Sequence, residues 1–428
     1  MNFRNIACAA CVILFVAFTS SCFSEIPQQI PLDEPDDSVT VDASGTTPLP
    51  YEITRFNLFV TRTNLELRKL EPESGIYLGA YINSDRAIGG TITAFEELMG
   101  VSHAIYAHTM DAGSEFPFTW VLELASTMKT PLITIHPAYR FAPFDLHLIE
   151  QTARDAGKFN FPLFINLFPV SRYMNYNAVE YVAFFRRARE IFAEHAPNAA
   201  LIWSVHFEDV FNTEPFYPGN NYVDWVGISA FANISDGQHI DIMRHISHFY
   251  FRFQHEHPII ITQLGVSYFT TTNFTFHTRQ AAAEIERIYN TVANNFPRIK
   301  AIVYASFDNT DFQNGRGLNN FRITGELPLI ESYARVTSGH NFLSTIDEHA
   351  QGNVTLKSPF QVAEKNNSYF LPKNALVFDL EIDIEPLHVA QIEIGGNYYV
   401  PLQLIVQHKN LKYYINREIG AITFFASH

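Results

Sequence analysis

Eight short apolar runs, most of them separated by helix-like segments, are the feature that most restricts how this chain can fold. They lie at 75–82, 102–110, 131–137, 161–170, 200–206, 223–230, 258–265 and 299–307. Each run is continuously apolar rather than alternating, which is typical of strands buried on both faces of a parallel sheet. Between most of them apolar side chains recur at helical spacing, as Ile285, Ile288 and Val292 do. The pattern predicts an α/β fold, a (β/α)8 TIM barrel with its active site at the carboxyl ends of the strands.

Two segments depart from this alternation of strand and helix. Between the fifth and sixth runs, residues 209–222 have no clear helical stripe and predict a loop. Past about residue 338 the chain changes to alternating apolar and polar residues, and the turn residues Gly395, Gly396 and Asn397 separate two short strands. We therefore predict a small, strand-rich α+β domain that follows the barrel.

The N-terminal end has the composition of an export signal. All three cysteines lie within the first 22 residues, so the rest of the chain can form neither an internal disulfide nor a thiolate metal site. A positive residue, an apolar run at 6–18 and small residues at 19–21 precede Cys22. This order resembles a bacterial lipoprotein signal, which implies that Cys22 carries a lipid anchor in a membrane of the cell envelope. Thr19 stands where such signals have a branched aliphatic residue, so the alternative is an ordinary secretory signal, and both interpretations imply export.

A tether rich in Pro and Asp separates this signal from the first apolar run. Its low apolar content predicts an extended, disordered segment, because too little surface is available for burial. The predicted divisions are a signal peptide at 1–22, the tether at 23–55, the barrel at 56–337, a linker at 338–358 and the second domain at 359–428.

Four segments of the barrel region carry a family resemblance. They are Gly-Ile-Tyr-Leu-Gly-Ala-Tyr at 75–81, Tyr-Pro-Gly with Val-Asp-Trp-Val-Gly at 217–227, Pro-Ile-Ile-Ile-Thr-Gln-Leu-Gly at 258–265 and Phe-Pro-Arg-Ile-Lys-Ala-Ile-Val-Tyr at 296–304. Through them the chain from about 75 to 337 resembles glycoside hydrolase family 26, the β-mannanase-like barrels. The resemblance implies a TIM barrel and a polysaccharide partner such as β-mannan.

Both catalytic positions of that family lack a carboxylate in this chain. The family's nucleophilic glutamate on the seventh strand corresponds to Gln263. Its acid/base glutamate ends the fourth strand in a phrase like Arg-Phe-x-x-Glu-Met-Asn, and the matching stretch 166–172 places that position at or beside Val170. No Asp or Glu occurs between Lys158 and Val179. A retaining glycosidase needs two carboxyl groups about 5 Å apart, and an amide is a very poor nucleophile, so we expect no catalytic residue at either position.

The C-terminal region carries a second resemblance. Its segments are Ile-Gly-Gly-Asn-Tyr-Tyr-Val-Pro-Leu at 394–402, Tyr-Tyr-Ile-Asn-Arg at 413–417 and Ala-Ile-Thr-Phe at 421–424. They resemble the copper amine oxidase N-terminal-like domain, a non-catalytic appendage of many bacterial envelope proteins. Despite its name, this resemblance implies neither copper nor amine oxidation, and we expect no cofactor.

Other polar residues near the expected barrel mouth offer alternative chemistry. Four acidic residues follow the fifth and eighth strands: Glu208, Asp209, Asp308 and Asp311. An inverting pair of carboxylates from this set would suit hydrolysis, whereas loop capping and solvated rim charges are the commoner use of such residues. His136, His206 and Glu208 have ligand types that suit zinc or manganese, but they show no spacing signature, so we expect no metal site.

The residues near the expected mouth favour a sugar-binding cleft over a catalytic one. Its candidate residues are Trp203, His206, Tyr217, Gln263, Tyr268 and Tyr304. Aromatic faces together with amide and imidazole groups are what sugar rings and hydroxyls require. The alternative is that Trp203 and Tyr304 pack inside the protein, as we expect for Trp225. With 29 basic residues against 44 acidic ones, the chain has no basic footprint for nucleic acid.

Three hypotheses from different classes follow. The first is an exported lipoprotein whose degenerate glycosidase barrel binds β-mannan or a related polysaccharide without hydrolysing it. The second is an active endo-β-glycosidase with relocated carboxylates, in which Glu208 faces a second acid. The third is a structural envelope scaffold, which burial of Trp203 and Tyr304 would favour.

Overall fold

The computed structural model divides the chain into two compact units. It describes residues 52–60, 67–138, 144–174, 176–234, 241–272, 274–310, 318–346, 356–365, 368–373, 391–394, 397–416 and 421–426. The larger unit takes in the described residues between 67 and 346, and the smaller one combines 52–60 with the described residues from 358 onward. The predicted signal, Cys22 and most of the predicted tether lie outside the described residues. No helix of the described part is long and apolar enough to span a membrane.

The larger unit is a closed barrel of eight parallel strands, which confirms the predicted (β/α)8 fold. Up to its last strand, the chain contains β1 (Glu52–Val60), β2 (Ile76–Tyr81), β3 (Ile105–Asp111), β4 (Thr130–His136), β5 (Leu163–Leu167), β6 (Ala199–His206), β7 (Trp225–Asn233), β8 (Ile259–Ser267), β9 (Phe269–Thr270), β10 (Thr275–Phe276), β11 (Ile299–Ala305), β12 (Asn319–Asn320) and β13 (Phe342–Leu343). From β2 to β8 each strand pairs with the next one in the chain, and β8 pairs with β11. Strand β11 also pairs with β2, which closes the barrel. Each barrel strand overlaps one predicted apolar run.

Helices follow the barrel strands except at one step. They are α1 (Ile92–Met99), α2 (Phe118–Ser126), α3 (Leu146–Ala156), α4 (Ala178–His195), α5 (Ile242–Phe253), α6 (Thr278–Asn295) and α7 (Leu327–Thr337). The side chains of Asp145, Asn177 and Asp241 cap α3, α4 and α5 by accepting backbone N–H bonds of the first turn. Between β6 and β7 there are only short 3-10 turns, so the predicted loop at 209–222 is confirmed.

Two apolar layers pack on the barrel strands, one inside the barrel and one beneath the helices. Alternate side chains of a strand point to opposite faces, so neighbouring residues belong to different layers. The inner layer contains Tyr77, Ile105, Leu132, Phe164, Ile202, Trp225, Ile260 and Ala301, among others. The outer layer contains Trp203 and Tyr304. Trp225 is fully buried in the inner layer, which confirms its predicted core position.

The amino-terminal end of the barrel is closed by the segment at 68–71. Leu70 belongs to the inner apolar layer and has a left-handed backbone with φ of 60°. The indole Nε1 of Trp225, the first residue of β7, donates to the Lys69 carbonyl at 2.7 Å. Arg298, which directly precedes β11, forms a buried ion pair with Glu71 at 3.0 Å. This end of the barrel is therefore sealed, and the opposite end is left for a site.

The smaller unit is a seven-stranded sheet built from both sides of the barrel sequence. Its remaining elements are β14 (Leu356–Lys365), β15 (Ser368–Pro372), β16 (Ile392–Ile394), β17 (Asn397–Pro401), α8 (Leu402–Lys409), β18 (Leu411–Asn416) and β19 (Ala421–Ala426). The strand order is β16-β17-β15-β14-β1-β19-β18. Strands β16 and β17, on either side of the predicted turn, pair in antiparallel fashion, whereas Gly395 and Gly396 lie outside the described residues.

Strand β1 lies in the interior of that sheet, far from where its sequence position suggested. It pairs in parallel with β19, with Asn57 opposite Ala421, and its other neighbour is β14. The sequence analysis assigned residues 52–55 to the tether and 56–60 to the barrel. The structure gives them to the second unit, because their hydrogen-bond partners come from the opposite end of the chain. The barrel is thus inserted into the second unit between β1 and β14.

Candidate functional site

A pocket opens at the carboxyl-terminal end of the barrel, the end where TIM-barrel sites occur. Every barrel strand from β3 to β8 contributes to its lining, and Phe307 lies just past β11. The cavity volume is about 70 Å³, room for a few water molecules or one edge of a small ring. The segments 139–143, 235–240 and 311–317, which follow β4, β7 and β11 in the chain, lie outside the described residues, and Asp311 is among them.

The pocket lining contains a set of small hydroxyl and amide side chains that the sequence analysis missed. They are Thr109, Thr134, Asn166, Ser204, Ser229 and Thr262. Most of them lie two residues beyond a member of the inner apolar layer, as Asn166 does after Phe164 and Ser204 after Ile202. A period of two, counted from the residues inside the barrel, is the signal that would have found them.

Hydrogen bonds join part of this set into an uncharged floor. The Ser204 hydroxyl donates to Asn166 Oδ1 at 2.7 Å, and Asn166 Nδ2 donates to Thr134 Oγ1 at 3.3 Å. The strands approach closely here, because a Cβ at Gly227 would lie 2.7 Å from the Thr262 side chain and 2.9 Å from that of Ser204. The floor is therefore tightly packed and its polar atoms are oriented in advance.

Gln263 lies in the pocket because β8 carries an extra residue at this point. The register of β8 shifts by one against β7 between Ile228 and Ser229, and by one against β11 between Ile302 and Tyr304. The pairing of β8 with each neighbouring strand therefore indicates a β-bulge at Thr262 and Gln263. These two consecutive residues both line the pocket. Bulges re-aim side chains and are common beside active sites. Among the described residues the Gln263 amide makes no hydrogen bond, so it is available to a ligand.

Val170 forms part of the pocket wall. The sequence resemblance placed the acid/base position of the β-mannanase-like barrels at or beside this residue. Val170 follows Phe168, whose backbone is left-handed with φ of 46°, and it makes a parallel bridge with Val205. Its N–H donates to the Ser204 carbonyl at 2.8 Å, and its carbonyl accepts from the His206 N–H at 2.9 Å. Pro169 and Ser171 beside it also line the pocket, so no residue at this position supplies a carboxyl group.

Two histidines complete the polar lining, and burial favours the neutral form of both. Burial lowers the pKa of His136 to about 4. Burial also lowers the pKa of His206, against the opposing effect of the Glu208 carboxylate, whose Oε2 lies 3.9 Å from His206 Nδ1. The described pocket lining contains no Asp, Glu, Lys or Arg. A site of this kind recognises neutral hydrogen-bonding groups.

The alternative carboxylates are occupied in loop contacts outside the pocket lining. Asp209 accepts from the Arg172 backbone N–H at 3.0 Å and from its Nε at 2.5 Å. Asp308 accepts from the N–H and hydroxyl of Thr310, which is the pattern of a turn cap. Glu208 lies at the rim and accepts from the Tyr173 hydroxyl at 3.5 Å. None of these three carboxylates is among the lining residues of the pocket.

Four of the six predicted ligand-binding residues do not line the pocket. Trp203 is fully buried against Phe253 of α5, and Tyr304 is fully buried against Tyr333 of α7. They were candidates for the opening, with burial inside the protein as the alternative, and strand parity explains why they are buried: each lies one residue away from an inward-facing position.

The other two displaced residues belong to loops. The Tyr217 hydroxyl contacts His257 Nε2 at 2.8 Å, so it lies at the amino-terminal end of β8, away from the pocket. Tyr268 is buried, with its hydroxyl close to Gly325. His206 and Gln263 are the two predicted ligand-binding residues that line the pocket.

The described residues contain no cluster of three or more His, Cys, Asp or Glu side chains that could hold a metal ion. His136 and His206 both reach the pocket, but Glu208 is not among its lining residues.

Comparison with solved structures finds similar structures at low sequence identity. A modular endo-β-1,4-mannanase from Cellulomonas fimi is 12% identical, with a TM-score of 0.49 over 78% of this chain and 94% of that chain. A family 26 β-mannanase from Bacteroides ovatus is 9% identical, with a TM-score of 0.46 over 66% and 93%. A β-mannanase from a symbiotic protist of the termite Reticulitermes speratus is 12% identical, with a TM-score of 0.44 over 66% and 97%. No family model and no curated protein matches the chain. At these identities the likeness concerns the fold alone.

Proposed function

We propose that the barrel binds a neutral polysaccharide of the β-mannan type without hydrolysing it. The observation that carries this proposal is the pocket lining itself, which combines amides, hydroxyls and neutral imidazoles with no charged side chain. A sugar presents hydroxyl groups that donate and accept at once, and such groups pair with amides and imidazoles. Phosphorylated or acidic ligands would find no cation there to offset their desolvation.

The apolar part of the lining fits the same ligand class. Phe231 and Phe307 belong to the lining together with the polar side chains, and their ring centroids are 6.1 Å apart. Sugar rings have an apolar face of C–H groups and an edge of hydroxyls, so a lining with both aromatic and hydrogen-bonding groups suits them. The proposal also agrees with the sequence resemblance to the β-mannanase-like barrels.

The absence of hydrolysis is proposed because both required carboxyl groups are replaced. Retaining hydrolysis needs an ionised nucleophile and a protonated acid about 5 to 5.5 Å apart, and inverting hydrolysis needs a wider pair. Gln263 and Val170 stand at these positions, and Asp209 is held by Arg172. Among the described candidates, Asp308 is engaged with Thr310, and Glu208 by itself would complete neither mechanism.

Binding and hydrolysis are tested together on the full-length protein. It is assayed against β-mannan, xylan and mixed-linkage glucan, with binding measured by affinity electrophoresis and cleavage by new reducing ends. We expect mannan binding without product. Gln263→Ala should weaken binding roughly tenfold through loss of its hydrogen bonds. Gln263→Glu should still yield no product, since the acid/base is also missing.

A charge-matched control keeps this test specific. Gln151→Glu introduces the same charge on the exposed face of α3 and should change neither readout. Product from the unmodified chain would overturn the proposal and assign catalysis to rim carboxylates such as Glu208. Product from Gln263→Glu alone would show that an acid/base exists and that Val170 does not mark its position.

A scaffold function is the second candidate, and one observation favours it. Trp203 and Tyr304 are buried, so the aromatic lining expected for a sugar cleft is reduced to Phe231 and Phe307. In this alternative the second unit, with its resemblance to a non-catalytic envelope appendage, mediates protein contacts and the barrel is a spacer. If the protein neither binds nor cleaves the polysaccharides in the assay above, that result would favour the scaffold function.

Export and anchoring at the cell envelope are part of the proposal, and the anchoring depends on Cys22. Lipidation there would attach the protein to a membrane through the tether. Cys22→Ser should move the protein from the membrane fraction to the soluble exported fraction. A variant that stays membrane-bound with an uncleaved signal would instead make the segment at 6–18 an anchor helix.

A further inference from the structure

The hairpin formed by β9 and β10 exposes two phenylalanines at the carboxyl-terminal end of the barrel. Phe274 is 73% exposed and Phe276 is 62% exposed. Both rings contact Phe269, with centroid distances of 6.4 Å for Phe274 and 4.6 Å for Phe276. The three rings form one cluster on the hairpin, which we call the aromatic platform.

Folding alone does not account for this platform. Exposed phenyl rings gain little of the free energy that buried ones do. Phe274 also has a left-handed backbone with φ of 56°, which is rare for a bulky residue and costs free energy. Its N–H donates to the Thr270 carbonyl at 3.1 Å, so the hairpin holds this conformation. Exposed aromatic residues with a strained backbone are typical of surfaces that bind a ligand.

The platform is joined to the pocket through β12. Strand β9 pairs with β12, so that Phe269 lies opposite Asn320. The next residue, Phe321, contacts the pocket residues Phe307 and Phe231 at centroid distances of 5.1 and 5.3 Å. The Phe321 N–H donates to the Phe307 carbonyl at 2.9 Å. A short, hydrogen-bonded path therefore connects the platform to the wall of the pocket.

We propose that the aromatic platform is a second sugar-contacting surface, so that the ligand is a polysaccharide chain rather than a single sugar or disaccharide. This inference rests on the proposed function. The described pocket has a cavity of about 70 Å³, so a longer chain would make further contacts outside it. The phenyl faces would stack on the apolar faces of sugar units beyond the pocket.

The chemistry of the hairpin favours a neutral glycan over a membrane surface. Residues 268–277 contain no Asp, Glu, Lys or Arg, and threonines at 270, 271, 272 and 275 accompany the phenylalanines. The chain as a whole has a formal net charge of -15, which would repel an anionic lipid surface. Hydroxyls beside aromatic faces suit a ligand that offers both hydroxyls and C–H groups.

The test compares β-1,4-linked mannobiose and mannohexaose by isothermal titration with the full-length protein. We expect the hexaose to bind at least tenfold tighter than the biose. The double variant Phe274→Ala/Phe276→Ala should lose this advantage and leave biose binding unchanged. Phe274→Tyr/Phe276→Tyr should keep the advantage, because the rings remain. Leu98→Ala/Leu122→Ala removes comparable exposed apolar groups from α1 and α2 and should have no effect.

The outcomes separate this inference from the proposed function. Binding of biose and hexaose with equal affinity, or a length advantage that survives the double alanine variant, overturns the platform alone. Failure of both oligosaccharides to bind, with polysaccharide binding also absent, overturns the proposed function and the platform with it. Phosphatidylcholine vesicle binding that the double alanine variant abolishes, without any effect on the hexaose, assigns the hairpin to a membrane instead.

Discussion

Deleting β1 is expected to unfold the second unit while the barrel keeps its structure. The strand lies between β14 and β19, so its removal leaves two unpaired inner edges in a seven-stranded sheet. Leu58→Pro should have nearly the same effect, because proline in an inner strand removes a ladder hydrogen bond and is otherwise confined to edge strands and bulges. A domain of this size has a small margin of stability, so the disruption of a central strand is expected to unfold it.

Hydrogen exchange distinguishes the two units in this experiment. Amides of β19 should lose their protection in the deletion and in Leu58→Pro, whereas amides of β5 should keep theirs. Glu52→Pro is the matched control, because proline is tolerated at the first residue of a strand. Protected β19 amides in both β1 variants would show that the second unit folds without this strand.

Removing Glu71 is expected to cost about 3–5 kcal/mol of the free energy of unfolding. Glu71 is 0% exposed and Arg298 is 1% exposed. Their side chains are joined by two hydrogen bonds of 3.0 and 3.2 Å, and Arg298 Nη1 also donates to the Gln254 carbonyl at 2.6 Å. Glu71→Ala would leave the guanidinium charge buried at the amino-terminal end of the barrel without its partner. Urea unfolding of the barrel, followed by hydrogen exchange of β5, measures the change.

A double variant separates the buried charge from the packing. Glu71→Leu/Arg298→Met removes both charges and should be less destabilising than Glu71→Ala, since a matched apolar pair leaves no unpaired ion. Glu150→Ala breaks the exposed pair with Arg154 and should change the unfolding midpoint little. Equal stability losses for Glu71→Ala and Glu150→Ala would show that the buried pair contributes nothing specific.

The barrel was predictable from the sequence. A strand that is buried on both faces has a continuously apolar sequence, and each of the eight apolar runs overlaps a barrel strand. The loop between β6 and β7 was equally local, because it lacked a helical stripe. Gln263 could be singled out because it follows an apolar run directly, and the residue type alone excludes a nucleophilic carboxylate.

The tertiary structure decided which side chains form the site. A continuously apolar run does not show which of two neighbouring residues faces inward, so Trp203 and Tyr304 could be assigned to the mouth although they pack beneath the helices. The bulge that brings Thr262 and Gln263 together into the pocket is a register shift against two neighbouring strands, and it leaves no local pattern. The position of β1 was decided in the same way. Asn57 pairs with Ala421, which lies near the other end of the sequence. Local periodicity contains no information about pairing partners that are so far apart in the chain.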